Sequence, residues 1–63
     1  MTLSEFNSLA EKDQLETTWE KGILEDNVAH GKYHYLLYKL DEFFVEIAFN
    51  SETDDIVALS GYL

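Results

Sequence analysis

Few side chains in this 63-residue chain have the type and spacing that metal binding or catalysis requires. The two histidines are the first candidates. His30 and His34 are four residues apart, so on a strand they lie on the same side but about 13 Å apart, too far for one metal ion. Only a helix would bring them together, and the flanking residues favour a strand. We therefore expect no metal site, and we expect His34 to lie beside Phe49 as a partly buried ring at the edge of the core.

An acidic segment follows the alternate spacing of a calcium-binding loop, with Asn50, Glu52 and Asp54 as its first three oxygen donors. Its sixth position holds Asp55 where such a loop needs glycine, and its twelfth position lacks the glutamate. The segment is therefore expected to be a solvated hairpin loop.

Catalytic groups are scarce. Glu46 is the only acid flanked on both sides by strong strand formers; if its surroundings became dry, its pKa would rise unless Lys39 neutralised it. Nucleophilic catalysis needs a base beside a hydroxyl or thiol, but the chain has no cysteine. Nothing in the sequence indicates that a histidine lies beside a serine. There is no glycine-rich phosphate loop, and so short a chain has little room for a ligand pocket. We expect no enzyme activity and no cofactor.

The segment 32–49 predicts a β-hairpin that turns at Asp41-Glu42. Alternation in its second strand gives a core face made of Phe43, Val45, Ile47 and Phe49. If Leu40 pairs with Phe43, a register that a four-residue loop keeps, the first strand turns these residues to the same core: Leu40, Tyr38, Leu36 and His34. A three-residue bulged loop would shift the register and bury Tyr33, Tyr35 and Leu37 instead. We favour the first register because it gathers more apolar side chains on one face.

The opposite side of this hairpin, called the outer hairpin face below, carries Tyr33, Tyr35, Leu37, Lys39, Phe44, Glu46 and Ala48 in the favoured register. Lys39 is then diagonal to Glu46. This side is too apolar for a plain wet surface, and short helices can cover only one side of a sheet. It is therefore predicted to be an interface with a second copy or with another protein. The alternative is a set of scattered surface aromatics without a role.

The N-terminal segment predicts two short helices, over about 2–11 and 13–21. Thr2 and Glu5 match a capping box. The apolar stripe changes sides near Glu11-Lys12-Asp13, which indicates a break, with a second cap at Asp13 and an end at Lys21-Gly22. Trp19 is interpreted as a structural residue whose indole closes the open end of the core. A single kinked helix is the alternative.

The remaining segments complete an α+β domain that spans residues 1–63, with the two helices packed on one face of a four-stranded antiparallel meander. Its strands are predicted over about 23–29, 32–40, 43–50 and 55–62. The first is predicted to be an edge strand, in which Glu25, Asp26 and Asn27 discourage edge-to-edge pairing. His30-Gly31 is predicted to form the turn into the hairpin.

Three strings in the chain carry a resemblance: Trp19-Glu20-Lys21-Gly22, Leu37-Tyr38-Lys39-Leu40 and Phe43-Phe44-Val45-Glu46. Together they resemble a pattern found in short uncharacterised bacterial proteins, and they span about half the chain. The pattern consists of core and turn residues. The resemblance therefore implies a fold and a bacterial, cytoplasmic origin, but no activity and no functional residue.

Charge and composition limit the partners. Four lysines against 13 acids give a net charge of −9, which repels nucleic acid and anionic lipid. The N-terminus lacks the features of a signal peptide and no window is apolar enough for a membrane span, so we expect a cytoplasmic protein. These features favour a small acidic, non-catalytic protein-binding module that self-associates as a dimer or binds another protein. The alternative is an acidic inhibitor or nucleic-acid-mimic decoy for a basic groove, although acidity also simply aids solubility.

Overall fold

The structure, a computed structural model, describes residues 1–63 and contains two short helices and one antiparallel sheet. The helices and strands are α1 (Leu3–Asn7), α2 (Glu11–Lys21), β1 (Ile23–His30), β2 (Tyr33–Leu40), β3 (Phe43–Asn50) and β4 (Ile56–Tyr62). The strands lie in the order β1-β2-β3-β4, so β1 and β4 are the edges. The predicted α+β class and four-stranded antiparallel meander are confirmed.

The capping box at the start of α1 is present: the Glu5 amide donates to Thr2 Oγ1 at 3.1 Å, and the Thr2 amide donates to Glu5 Oε1 at 2.8 Å. However, α1 ends at Asn7, so the prediction that it continues to about residue 11 is wrong. The break lies at residues 8–10. The Gln14 side chain donates to the Phe6 carbonyl at 2.9 Å and holds this connection closed.

The predicted cap at Asp13 is also wrong, because α2 begins at Glu11 after Ala10, which makes no side-chain capping bond. This earlier start is accompanied by a different buried side of the helix. Thr18 is fully buried, whereas Trp19 is 55% exposed. The interpretation of Trp19 as the closure of the core is therefore wrong, and Leu15 packs against the core without it.

Gly22 ends α2 as predicted but not by the expected geometry. Its φ of −76° and ψ of 150° are open to any residue. A Cβ atom there would lie 2.5 Å from the Thr18 carbonyl oxygen and 3.2 Å from Tyr38 Cδ1. Glycine is required chiefly because a side chain would collide with the Thr18 carbonyl of α2, and Tyr38 of β2 leaves little room on the other side.

The favoured hairpin register is confirmed, since Leu40 pairs with Phe43 and His34 pairs with Phe49. The loop between the two strands is Asp41-Glu42, and Asp41 adopts a left-handed φ of 55°. A positive φ at the first loop residue suits the right-handed twist of a two-residue hairpin. The turn chemistry therefore sets which residues β2 and β3 give to the core.

The core lies against the side of the sheet that was predicted. Its fully buried members are Phe6, Leu40, Phe43, Val45 and Ile47, and the partly buried residues packed against them are Leu3, Leu15, Leu36, Tyr38, Ile56 and Leu59. The sheet residues of this cluster share one side, because Leu36 pairs with Ile47, which in turn pairs with Leu59. At Gly61, a Cβ atom would lie 2.8 Å from Leu3 Cδ1, which shows how closely α1 approaches β4.

The edge strand β1 was predicted correctly, although it continues to His30. All eight of its residues are exposed, and its pairing with β2 is interrupted by a bulge between Leu24 and Asp26. The turn into the hairpin is Gly31-Lys32 rather than His30-Gly31, because Gly31 supplies the left-handed φ of 63° that the turn needs.

Candidate functional site: the outer hairpin face

The register of β2 and β3 places all the predicted interface residues on one side of the sheet. The cross-strand pairs on this side are Tyr33 with Asn50, Tyr35 with Ala48, Leu37 with Glu46, and Lys39 with Phe44. None of them belongs to the core cluster. The structure thus brings the predicted residues together as one surface.

The centre of the outer hairpin face is apolar and partly shielded from water. Ala48 is only 5% exposed, while Tyr35 directly opposite it is 37% exposed. On the far side of β3, Ala48 pairs with Ala58. Two small residues side by side therefore leave the Tyr35 side chain standing above a shallow apolar floor.

The edge strands extend this surface in ways that the sequence did not reveal. Val28 of β1 pairs with Tyr35 and is 49% exposed. Tyr62 of β4 pairs with Phe44, and their rings stack with 6.1 Å between centroids and 30° between planes. The bulge in β4 lies between its turn and Tyr62 and shifts the register, so alternation counted from the turn could not have assigned Tyr62 to this side.

Charged groups on the outer hairpin face are not paired with each other. Glu46 is exposed between Leu37 on one side and Ser60 on the other, and Lys39 lies diagonally beyond Leu37 as expected. The single ion pair in the structure joins the Met1 ammonium to Asp41, outside this face. Lys39 and Glu46 therefore do not form an ion pair. Both remain open to charges supplied by a partner.

The ion pair at the N-terminus is the main electrostatic feature. The Met1 ammonium donates to Asp41 Oδ2 at 2.6 Å. This hydrogen bond lowers the pKa of Asp41 and raises the pKa of the α-amino group. The amide and hydroxyl of Thr2 lower the pKa of Glu5 through the capping box. All three groups are near the Asp41-Glu42 turn or α1, away from the outer hairpin face.

The two histidines occupy different environments. His34 is half-buried and stacks on Phe49, with 5.1 Å between ring centroids and 24° between planes. Its Nε2 atom hydrogen-bonds with Asn27 Oδ1. The expectation that His34 lies beside Phe49 at the edge of the core is confirmed. His30 is exposed in β1 and pairs with Tyr33. It therefore lies on the opposite side of the sheet from His34.

The acidic loop after β3 uses its own polar groups to close. Asn50 Oδ1 accepts hydrogen bonds from the Glu52 amide at 2.9 Å and the Thr53 amide at 3.4 Å. The Asp54 amide donates to the Asn50 carbonyl at 2.7 Å, and Asp54 adopts a left-handed φ of 63°. The oxygen that would begin a calcium loop thus already accepts two backbone hydrogen bonds.

Other kinds of site have no geometric counterpart in the structure. No group of three or more His, Asp or Glu side chains is placed to hold a metal ion, and there is no pocket of ligand size. Neither helix combines the length and the apolar character needed to cross a membrane.

Comparisons with protein families, with curated proteins and with solved structures give no significant match to this chain.

Proposed function

We propose that this chain is a small acidic, non-catalytic binding module of the bacterial cytoplasm that self-associates through the outer hairpin face. In this proposal both helices cover the side of the sheet that carries Phe43, Val45 and Ile47. The opposite side is then left uncovered by α1 and α2, and a partner would cover it.

The observation that carries the proposal is the arrangement around Tyr35. An apolar floor of Ala48 and Ala58 lies next to the half-exposed ring, and Val28 continues the patch on β1. Small residues beside a rigid aromatic ring give a shape into which a partner's side chain can fit. Aromatic residues are enriched at protein interfaces because they bury a large area with little loss of conformational freedom.

The charges support specificity rather than strength in such an interface. Lys39 and Glu46 lie on the same side of the sheet without pairing, so an opposing copy related by a two-fold axis could place Lys39 against Glu46 in both directions. Exposed pairs of this kind contribute about 1 kcal/mol or less each, but they fix the orientation of the partner.

Sedimentation equilibrium of the full chain across the micromolar range tests this proposal. Tyr35→Glu introduces a charge at the centre of the apolar patch and is expected to shift the chain toward monomer. Ala29→Glu is the matched control, because Ala29 is exposed and pairs with His34 on the other side of the sheet. A wild-type monomer at high micromolar concentration, together with unchanged stability of Tyr35→Glu, would rule out self-association through this face.

A second candidate is an acidic inhibitor or decoy that occupies a basic groove on a partner protein. It is favoured by the excess of unpaired acids: none of the 13 Asp and Glu side chains forms an ion pair with a lysine. Capture of partners from a lysate at increasing salt separates the two functions. A decoy loses its basic partners steeply as salt rises, whereas apolar association through the outer hairpin face does not.

A further inference from the structure

The two edges of the sheet differ in what an added strand would meet. β1 contains Glu25 and Asp26 and is interrupted by its bulge, and both features discourage edge-to-edge pairing. The other edge, β4, lacks charged residues: residues 56–63 include no charged side chain, and they include no proline, which would also hinder pairing. Its single irregularity is a bulge at the beginning of β4, where Val57 has no partner in β3, so the bulge lies at one end of the edge and not at its centre.

Exposed apolar side chains lie along both edges, but on β1 Glu25 and Asp26 separate Leu24 from Val28, whereas no acid interrupts those of the second edge. Val57 is 53% exposed, Tyr62 is 42% exposed and Leu63 is 84% exposed. An edge strand also leaves backbone amide and carbonyl groups without a partner on its free side, and another extended backbone is the ligand that satisfies them. The chemistry of this edge therefore selects an extended, uncharged peptide segment.

We propose that β4 pairs in the antiparallel direction with β4 of a second copy of this chain, around a two-fold axis at Ser60. The two four-stranded sheets then form one continuous sheet across the dimer. This pairing uses the sheet edge, so it does not depend on self-association through the outer hairpin face.

The register follows from matching the exposed side chains. With the axis at Ser60, Val57 lies opposite Leu63 of the second copy and Ala58 lies opposite Tyr62. An axis at Leu59 would instead set Leu63 against Asp55. An axis at Gly61 would leave Val57 beyond the paired segment. Only the central register covers all three exposed apolar residues and keeps every acid outside the paired segment.

The net charge opposes association of two copies, but the acids lie outside the proposed paired segment. The two chains repel each other through their net charges of −9, but no acid lies within the paired segments. Long-range repulsion of this kind is screened by salt, while backbone hydrogen bonds and apolar contacts between strands are not. Association through β4 should therefore strengthen as salt is added.

Charge substitutions at the two-fold axis test the proposal. Ser60→Lys and Ser60→Glu each place two like charges opposite one another across β4, so each variant alone should lose the concentration-dependent protection of its β4 amides, whether or not the outer hairpin face still associates. An equal mixture of the two should restore that protection, because unlike charges then meet across the axis. Ser4→Lys and Ser4→Glu, at an exposed position of α1, are the matched controls and should associate like the wild type.

Amide hydrogen exchange of the wild type provides a readout that needs no variant. Protection of amides in β4 should rise with protein concentration and with salt, while β1 should show no such change. The proposal is overturned by a wild type that stays monomeric at all concentrations and salt levels. It is also overturned if the Ser60 variants associate normally while Tyr35→Glu abolishes association, a result that supports the outer hairpin face instead.

Discussion

The ring of Phe6 in α1 lies 5.4 Å from the ring of Phe43 in β3, centroid to centroid, with 54° between the ring planes. Both side chains are buried, with exposures of 0% and 1%. A tilted geometry at this distance is favourable for aromatic pairs. This contact attaches a helix of only five residues to the centre of the sheet.

Phe6→Ala is accordingly expected to unfold most of the protein. Removing a buried phenylalanine costs about 3–5 kcal/mol, which is comparable to the whole stability of a domain near the lower limit of about 5 kcal/mol. Far-UV circular dichroism with urea titration measures the loss. Phe6→Leu retains most of the apolar volume and serves as the control. A Phe6→Ala protein as stable as the wild type would contradict the conclusion that this ring attaches α1 to the sheet.

Trp19→Ala should behave in the opposite way. Because the indole is 55% exposed, its removal is expected to change the free energy of unfolding by less than about 1 kcal/mol. Tryptophan fluorescence of the wild type should show the red-shifted emission of a solvated ring, with little further shift on unfolding. A blue-shifted emission that moves strongly on unfolding would place Trp19 back in the core.

Alanine substitutions at two glycines should rank by what surrounds the new methyl group. Gly22→Ala places Cβ 2.5 Å from the backbone carbonyl of Thr18, which cannot move without disturbing the end of α2. Gly61→Ala places Cβ 2.8 Å from the end of the flexible Leu3 side chain, which can turn away, and 3.2 Å from the Phe6 ring, which needs to shift by only a few tenths of an ångström. Urea unfolding should therefore show a larger loss for Gly22→Ala than for Gly61→Ala. The reverse order would mean that the helix end adjusts more easily than the core.

Stability should depend on pH through Met1 and Asp41. The lowered pKa of Asp41 means that its contribution is present above its ordinary pKa and is lost as pH falls through the lowered value. The raised pKa of the α-amino group means that its contribution is lost as pH rises through that value. Asp41→Asn should flatten both limbs of the stability profile. Equal profiles for wild type and variant would show that the pair does not form in solution, and high salt should weaken the difference.

The acids of β1 should protect the protein against aggregation. A double substitution of Glu25→Val and Asp26→Val would leave an exposed apolar edge strand, which is a template for further pairing. Light scattering over time should show aggregation of this variant. A double substitution of Glu11→Val and Asp13→Val in α2 removes the same charge from exposed helix positions and is the control. Equal aggregation of both variants would assign the effect to net charge alone.

The central hairpin could be predicted because two independent constraints agree there. Alternation from Phe43 to Phe49 defines the core side, and the Asp41-Glu42 loop fixes the register that gives β2 the same side. A slip by one residue would have exposed the entire apolar set, so few other arrangements were possible. Thr2 and Glu5 were predictable for a similar reason, since a capping box is a local interaction.

The orientation of α2 could not be predicted because its buried side is not marked by apolar residues. Thr18 is buried with its hydroxyl donating to the Gln14 carbonyl at 2.8 Å, and Gly22 continues the same side toward Tyr38. Small residues allow the helix to approach the sheet closely, but they leave no hydrophobic periodicity. The large indole of Trp19 therefore dominated the pattern although it points to solvent.

The approach of α1 to Gly61 also constrains how the chain folds during synthesis. Leu3 and Phe6 emerge from the ribosome before the sheet, yet they complete their packing only against a strand that is made more than fifty residues later. The central hairpin can form earlier from local contacts, but closing this distant contact must wait for the last strand. Until then these two apolar side chains remain without their final cover.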